Sequence, residues 1–83
     1  MSEQSGDAKI LLEHVTKALV DAPDQVSVSQ IEEDGEIVFE LTVAESDLGK
    51  VIGKSGRTAR ALRMLLSAAG IKAQKLYALE ILE

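Results

Sequence analysis

The sequence contains no cysteine or tryptophan, a single histidine, a single proline and only two aromatic residues, Phe39 and Tyr77. Without cysteine there is neither a disulfide framework nor a thiolate metal site. His14 has no partner at ligand spacing, so it reads as a polar edge residue of an amphipathic helix rather than a metal ligand. Two rings on strand faces cannot form a platform for stacking bases, which excludes the modules that draw their affinity from aromatic stacking. Long apolar runs are missing too. The longest uncharged stretch, "MLLSAAGI", is far shorter than a membrane span, and the start "MSEQSGD" lacks the basic residues and apolar run of a secretory signal. The expectation is a cytoplasmic protein with no membrane partner. No paired carboxylates, serine–histidine arrangement or thiol suggests catalysis, so neither an enzyme nor a cofactor is expected. The acids of "EEDGE" lack the ligand spacing of a calcium loop and read as a solvated turn.

What is present suffices for one small domain. With 83 residues and 46% hydrophobic content, neither half of the chain could build a core of its own. We expect a flexible segment over 1–7 and a single domain over 8–83. A first helix is predicted at about 8–21, with Leu11, Val15, Ala18 and Leu19 at helical spacing and Pro23 as its stop. "VSVSQI" and "EIVFELTV" read as strands joined at the tight turn Asp34-Gly35. Ile37, Phe39, Leu41 and Val43 alternate and should face the core. A change of parity at Gln30 and Ile31 suggests a bulge or an early strand end.

"ESDLGKVI" is predicted to form a short helix with Ser46 and Asp47 as acceptors near its start and Gly53 in the left-handed conformation at its end. A further helix should run from about Arg57 to Ala69, stopped by Gly70, with Leu62, Leu65, Leu66 and Ala69 on one face and Arg57, Arg60 and Arg63 on another. The last element, "QKLYALEILE", is a strand with Tyr77, Leu79 and Ile81 on one side and Leu76, Ala78 and Leu82 on the other, both partly covered. The order α-β-β-α-α-β implies an α+β domain with helices packed on a three-stranded sheet.

Charge is divided along this chain. From Leu48 to Leu79 there are seven bases and no acid, a local +7 set against −12 elsewhere and −5 overall. A ligand feels the field of the patch it approaches, within about 8 Å at physiological salt. Five of the bases, Lys50, Lys54, Arg57, Arg60 and Arg63, surround the glycine-rich stretch "GKVIGKSGRTARALR".

Three structures could explain that stretch. A nucleotide-binding P-loop needs four residues between its first glycine and the Gly-Lys-Ser, and only three separate Gly49 from Gly53. The turn also follows a helix, not a strand. A plain helix–helix connection would use glycines for their backbone angles alone. It would gain nothing from the gathered like charges, whose repulsion lowers stability. A clamp for a nucleic-acid backbone uses every element: glycines admit phosphates close to the main chain, the following helix presents its N-terminus, and lysine adds charge.

"VIGKSGRTARALRMLLSAAG" resembles the I-G-x-x-G core of KH domains. With the helix before it and the element order, the chain is similar to the small bacterial single-KH proteins of the KhpA family from about Ala8 to Glu83, in a type II-like arrangement. The resemblance implies that Gly53, Lys54, Ser55 and Gly56 form the loop that contacts an RNA backbone, with the apolar Ile52 before it at the groove wall. Lys50, Arg57 and Arg60 join the candidate site on charge and helix geometry instead. Where many KH domains carry a large aliphatic residue, this chain has Ala59, a difference that bears on the groove's depth.

The resemblance further implies an RNA-binding protein of the bacterial cytoplasm, a post-transcriptional regulator or RNA chaperone linked to cell elongation and division. Its implied partners are single-stranded RNA, a second copy, and a larger KH-containing protein. A clamp on about four nucleotides that neutralises two or three phosphates gives a log K against log salt slope of roughly −1.5 to −2, with affinity on the order of micromolar. The competing reading is a protein-interaction subunit, a homodimer or heterodimer with little RNA binding of its own, in which Met64 or a sheet edge makes the contact.

Overall fold

Strict alternation from Glu36 onward places one strand at the centre of the molecule. The computed structural model describes residues 2–83. Its main elements are α1 (Ser2–Leu19), β1 (Ser27–Glu33), β2 (Glu36–Thr42), α2 (Leu48–Ile52), α3 (Arg57–Ala73) and β3 (Leu76–Ile81). Three 3-10 turns join them, at Pro23–Gln25, Glu45–Asp47 and Lys54–Gly56. The expected α-β-β-α-α-β order holds, and the sheet runs β1-β2-β3. Ile37, Phe39 and Leu41 of β2 are buried beneath the helices.

β1 pairs antiparallel with β2 in unbroken register, from Ser27 opposite Thr42 to Glu33 opposite Glu36. Asp34 and Gly35, with φ of 51° and 80°, close the hairpin as a two-residue turn of the kind that matches strand twist. There is accordingly no bulge at Gln30–Ile31. The parity change expresses itself as a change of face: Val28 points into the core and Ile31 lies on the opposite, open side. β3 pairs parallel with β2, Glu36 opposite Leu76 and Leu41 opposite Ile81. A parallel pair needs a long crossover, which α2 and α3 provide. Tyr77 meets Phe39 edge-to-face at 5.2 Å between ring centroids. Helices cover only one face of the sheet, so Leu76 on the other is exposed.

α1 begins at Ser2, ahead of the expected start at Ala8, and ends at Leu19. Of the segment 1–7 expected to be flexible, Met1 lies outside the described residues. The buried face of α1 consists of Ala8, Leu12 and Thr16, while Leu11, Ala18 and Leu19 are exposed. Hydrophobicity alone ranks Leu11 above Thr16. The small side chains at positions 8 and 16 flank Leu12 on this face, and all three are buried.

Among the described residues this packing leaves the hydroxyls of Thr16 and Tyr77 buried without a hydrogen-bond partner. An unpaired buried hydroxyl costs roughly 1–3 kcal/mol, and valine has nearly the shape of threonine. Thr16→Val should therefore raise stability by about 1 kcal/mol, measured by urea unfolding with an unchanged m-value; a loss of stability would show that the hydroxyl has a partner in solution.

α3 continues past its expected end. Gly70 lies within the helix, buried, and the residue that ends it in the left-handed conformation is Gln74, at φ 59°. Gly70 is instead a point of close approach, since a Cβ there would stand 2.6 Å from the Lys75 carbonyl oxygen and 3.3 Å from Cγ of Tyr77. Leu62 and Leu66 are in the core as expected, but Leu65 is exposed at the edge of the groove between α1 and α3.

Candidate nucleic-acid interface

The turn between α2 and α3 is built from residues that leave the right-handed regions in quick succession. Gly53 has φ 78° and ψ 169°, Ser55 φ 57° and ψ 26°, and Gly56 φ 74° and ψ 15°. Gly53 is restricted twice over. Its backbone angles belong to glycine almost alone, and a Cβ would come within 2.8 Å of the Thr58 amide nitrogen. A Cβ at Gly56 would meet nothing within 4 Å, so that position is restricted by angle only. The Gly53 amide donates to the Gly49 carbonyl at 2.8 Å, and the Gly56 amide donates to the Gly53 carbonyl at 3.1 Å. These bonds close α2 and hold the turn folded.

The side chains divide into two groups. Lys54, Ser55, Arg57 and Arg60 are exposed, Ile52 is half-buried, and Lys54, Arg57 and Arg60 form no salt bridge among the described residues. Arg60 reaches back along the start of α3 to donate from Nη2 to the Ser55 carbonyl at 3.1 Å, bracing the loop from the helix. Lys50, placed in the candidate site on charge and helix geometry, is engaged by two carboxylates. Its Nζ lies 3.2 Å from Asp21 Oδ2 and 3.6 Å from Asp47 Oδ1.

Asp47 departs furthest from its expected role. It makes no capping bond to its own helix. Its carboxylate, 1% exposed, accepts the amides of Asp21 and Ala22 at 3.2 and 3.0 Å, tying the end of α1 to the start of α2. Those partners are 26 and 25 residues away, so no local pattern could have revealed them. Burial alone pushes the Asp47 carboxyl up, but the two amides and Lys50 together hold it below the ordinary 3.8. The Lys50 ammonium is held above its ordinary 10.5, mainly by the hydrogen bond and charge of Asp21, against the effect of burial.

A carboxyl whose folded pKa is depressed contributes stability above its unfolded pKa of about 3.9 and loses it as pH falls through the lower folded value. Thermal melts from pH 6 to pH 2 should show a steeper loss below pH 4 for the native chain than for Asp47→Asn; equal slopes would mean that the carboxylate is not held in this way. For Lys50 the sign is reversed: its contribution is present below pH 10 and lost as pH rises through its elevated value.

A depression between the start of α2 and the sheet ends is lined by Thr42, Val43, Glu45, Leu48, Leu82 and Glu83. Its lining combines the aliphatic Val43, Leu48 and Leu82 with the carboxylates of Glu45 and Glu83. Ala59 is buried.

A family model described as KhpA/KhpB, KH domain, matches residues 9–81. The chain belongs to that family. Among curated relatives, the RNA-binding protein KhpA of Clostridium acetobutylicum is 49% identical over 74 residues, 89% of this chain and 99% of that protein. The RNA-binding protein KhpA of Aquifex aeolicus is 52% identical over 75 residues, covering 90% and 95%. That of Borreliella burgdorferi is 42% identical over 81 residues, covering 98% and 99%. A crystal structure of a point variant of Aquifex aeolicus Era, bound to GDP.AlF4-, contains a similar fold, with a TM-score of 0.62 at 19% identity over 89% of this chain and 29% of that one. At that identity the likeness concerns the fold alone. Membership in the KhpA/KhpB family makes the α+β domain with its mixed sheet a KH domain, and among the described residues no helix is long and apolar enough to cross a membrane.

Proposed function

We propose that this chain binds single-stranded RNA by clamping the phosphate backbone at the turn Gly53–Gly56; its curated relatives are named RNA-binding proteins. The observation that carries the reading is the turn itself: exposed Lys54, Ser55 and Arg57 stand at the start of α3, and among the described residues no acid is paired to them. The helix N-terminus and both cations favour an anion there. Arg60 uses one N–H on Ser55 and keeps the rest of its guanidinium for a phosphate. Lys50, engaged by Asp21 and Asp47, adds to the local field and holds α2 in place. Ile52 and the aliphatic depression supply the wall against which unstacked bases would rest.

The cellular role that goes with this chemistry is post-transcriptional regulation or RNA chaperoning in the cytoplasm, tied to elongation and division, with a second copy or a larger KH-containing protein raising the affinity of a weak module. A second reading, a subunit whose main task is protein contact, is favoured by the exposed apolar side chains Met64, Leu65 and Ile71 on α3.

One comparison separates the two. Binding of the purified protein to cellular RNA across a salt series should follow a slope of roughly −1.5 to −2 in log K against log salt. Lys54→Asp/Ser55→Asp should weaken binding at least tenfold with the fold retained, since aspartate tolerates the left-handed angle at position 55. Equal binding by both proteins would remove the clamp, and no binding by either would favour the protein-contact reading.

A further inference from the structure

The open face of the sheet carries a pattern that RNA binding does not use. Strand register fixes what shares that face. Glu33, Glu36 and Leu76 form one row, Ile31, Val38 and Ala78 the next, and Ser29, Glu40 and Glu80 the third. The face is thus an apolar row between two rows of carboxylates. Leu76 is 68% exposed and Ile31 39%.

These charges are placed against the interest of stability. Glu40 lies directly opposite Glu80, and Glu33 opposite Glu36, with side chains about 5 Å apart at their bases. Like charges in that relation are destabilising. Lys75 stands at one corner, ahead of Leu76, yet none of the four acids forms a salt bridge among the described residues. An apolar row, exposed at Ile31 and half-buried at Val38 and Ala78, beside uncompensated charge is complementary to one kind of surface, a cationic one with apolar side chains between its cations.

We propose that the outer face of the sheet is a docking surface for a basic polypeptide segment of another protein, with lysines or arginines meeting the two carboxylate rows and an apolar residue resting on Ile31, Val38 and Ala78. Glu40 lies four positions along the strand from Glu36, about 13 Å at ~3.3 Å per residue. An extended segment with cations four residues apart and an apolar residue midway has the same spacing. The face lies across the sheet from the helices, so the segment and a ligand at Gly53–Gly56 can be held together. Nucleic acid is repelled from it by the same four acids, and the proposal does not depend on what binds at the glycine turn.

The probe is a twelve-residue labelled peptide of repeating Lys-Thr-Leu-Thr, titrated into the full chain at low salt and followed by anisotropy and by amide chemical shifts. Shifts should concentrate at Ile31, Val38, Glu40, Ala78 and Glu80 and leave Gly53–Gly56 unmoved. Glu40→Lys/Glu80→Lys should weaken binding at least tenfold, and Glu13→Lys/Asp24→Lys, the same change of net charge away from that face, should weaken it less than threefold. A peptide of repeating Lys-Thr-Thr-Thr should bind at least fivefold more weakly. Equal losses in the two variants, equal binding of the two peptides, or shifts centred on the groove between α1 and α3 would each overturn the proposal. Glu80→Gln alone should raise Tm by roughly 2–5 °C by relieving the pair with Glu40; an unchanged Tm would remove the support that uncompensated charge gives the proposal.

Discussion

Gly53→Ala should destabilise the protein by about 3 kcal/mol, with Tm falling by more than ~10 °C. Two effects add. The backbone angles at Gly53 lie where a side chain costs about 1–3 kcal/mol. The new methyl also meets both Oγ1 and the amide nitrogen of Thr58. Thr58→Ala in the same chain would remove only the first contact, because the backbone nitrogen remains 2.8 Å away. The double variant should therefore recover less than half of the loss. Gly56→Ala is the internal comparison: with open space around its Cβ it should lose only the left-handed penalty of about 1–2 kcal/mol. Urea unfolding of the four proteins checks all of this, and equal losses at positions 53 and 56 would show that the approach of Thr58 is unimportant. For a chain of this size, with a total stability of about 4–12 kcal/mol, the loss at Gly53 is a large fraction.

Gly70→Ala should lower stability by about 2 kcal/mol, although alanine in a helix interior ordinarily gains close to ~1 kcal/mol over glycine. The sign reverses because the methyl would stand 2.6 Å from a backbone oxygen, that of Lys75, and the ring of Tyr77 closes the other side. The Lys75 amide donates to the Gly70 carbonyl at 2.8 Å, so helix and strand cannot separate without losing that bond. Thermal unfolding of Gly70→Ala beside Gly49→Ala, whose Cβ meets nothing, measures the effect. A stabilised Gly70→Ala would mean that β3 shifts freely relative to α3.

These two glycines also mark where sequence reading succeeds and where it stops. Gly53 is legible in part because its role is local: a turn between two helical patterns needs a residue at positive φ, although its ψ of 169° lies outside the left-handed helical conformation expected for it. Gly70 obeys the same rule in sequence, which predicts a helix end, but its reason lies in Lys75 and Tyr77 across the turn, which only the packed structure brings near. Element order and the buried face of β2 are readable because alternation with period two has one solution once Phe39 is inside. The rotation of α1 is not, since Ala8 and Thr16 owe their burial to size, not to hydrophobicity. At the site, the positions of Lys54, Ser55 and Arg57 follow from the turn. The ion pairs of Lys50 are not readable, because one partner, Asp21, is distant in sequence and the other, Asp47, has the pattern of a cap.

The parallel pairing of β2 with β3 has a consequence for the order of assembly. During vectorial synthesis the β1–β2 hairpin can close early, for its contacts are near in sequence, but the inner face with Phe39 finds its partner ring only when Tyr77 has been made. Until then the central strand is an edge, with a row of open amides and carbonyls available to any other chain. The two helices that carry the glycine turn are made within that interval. A nascent chain that has not reached Leu76 therefore carries the whole turn beside a two-stranded sheet whose central strand still lacks its second partner.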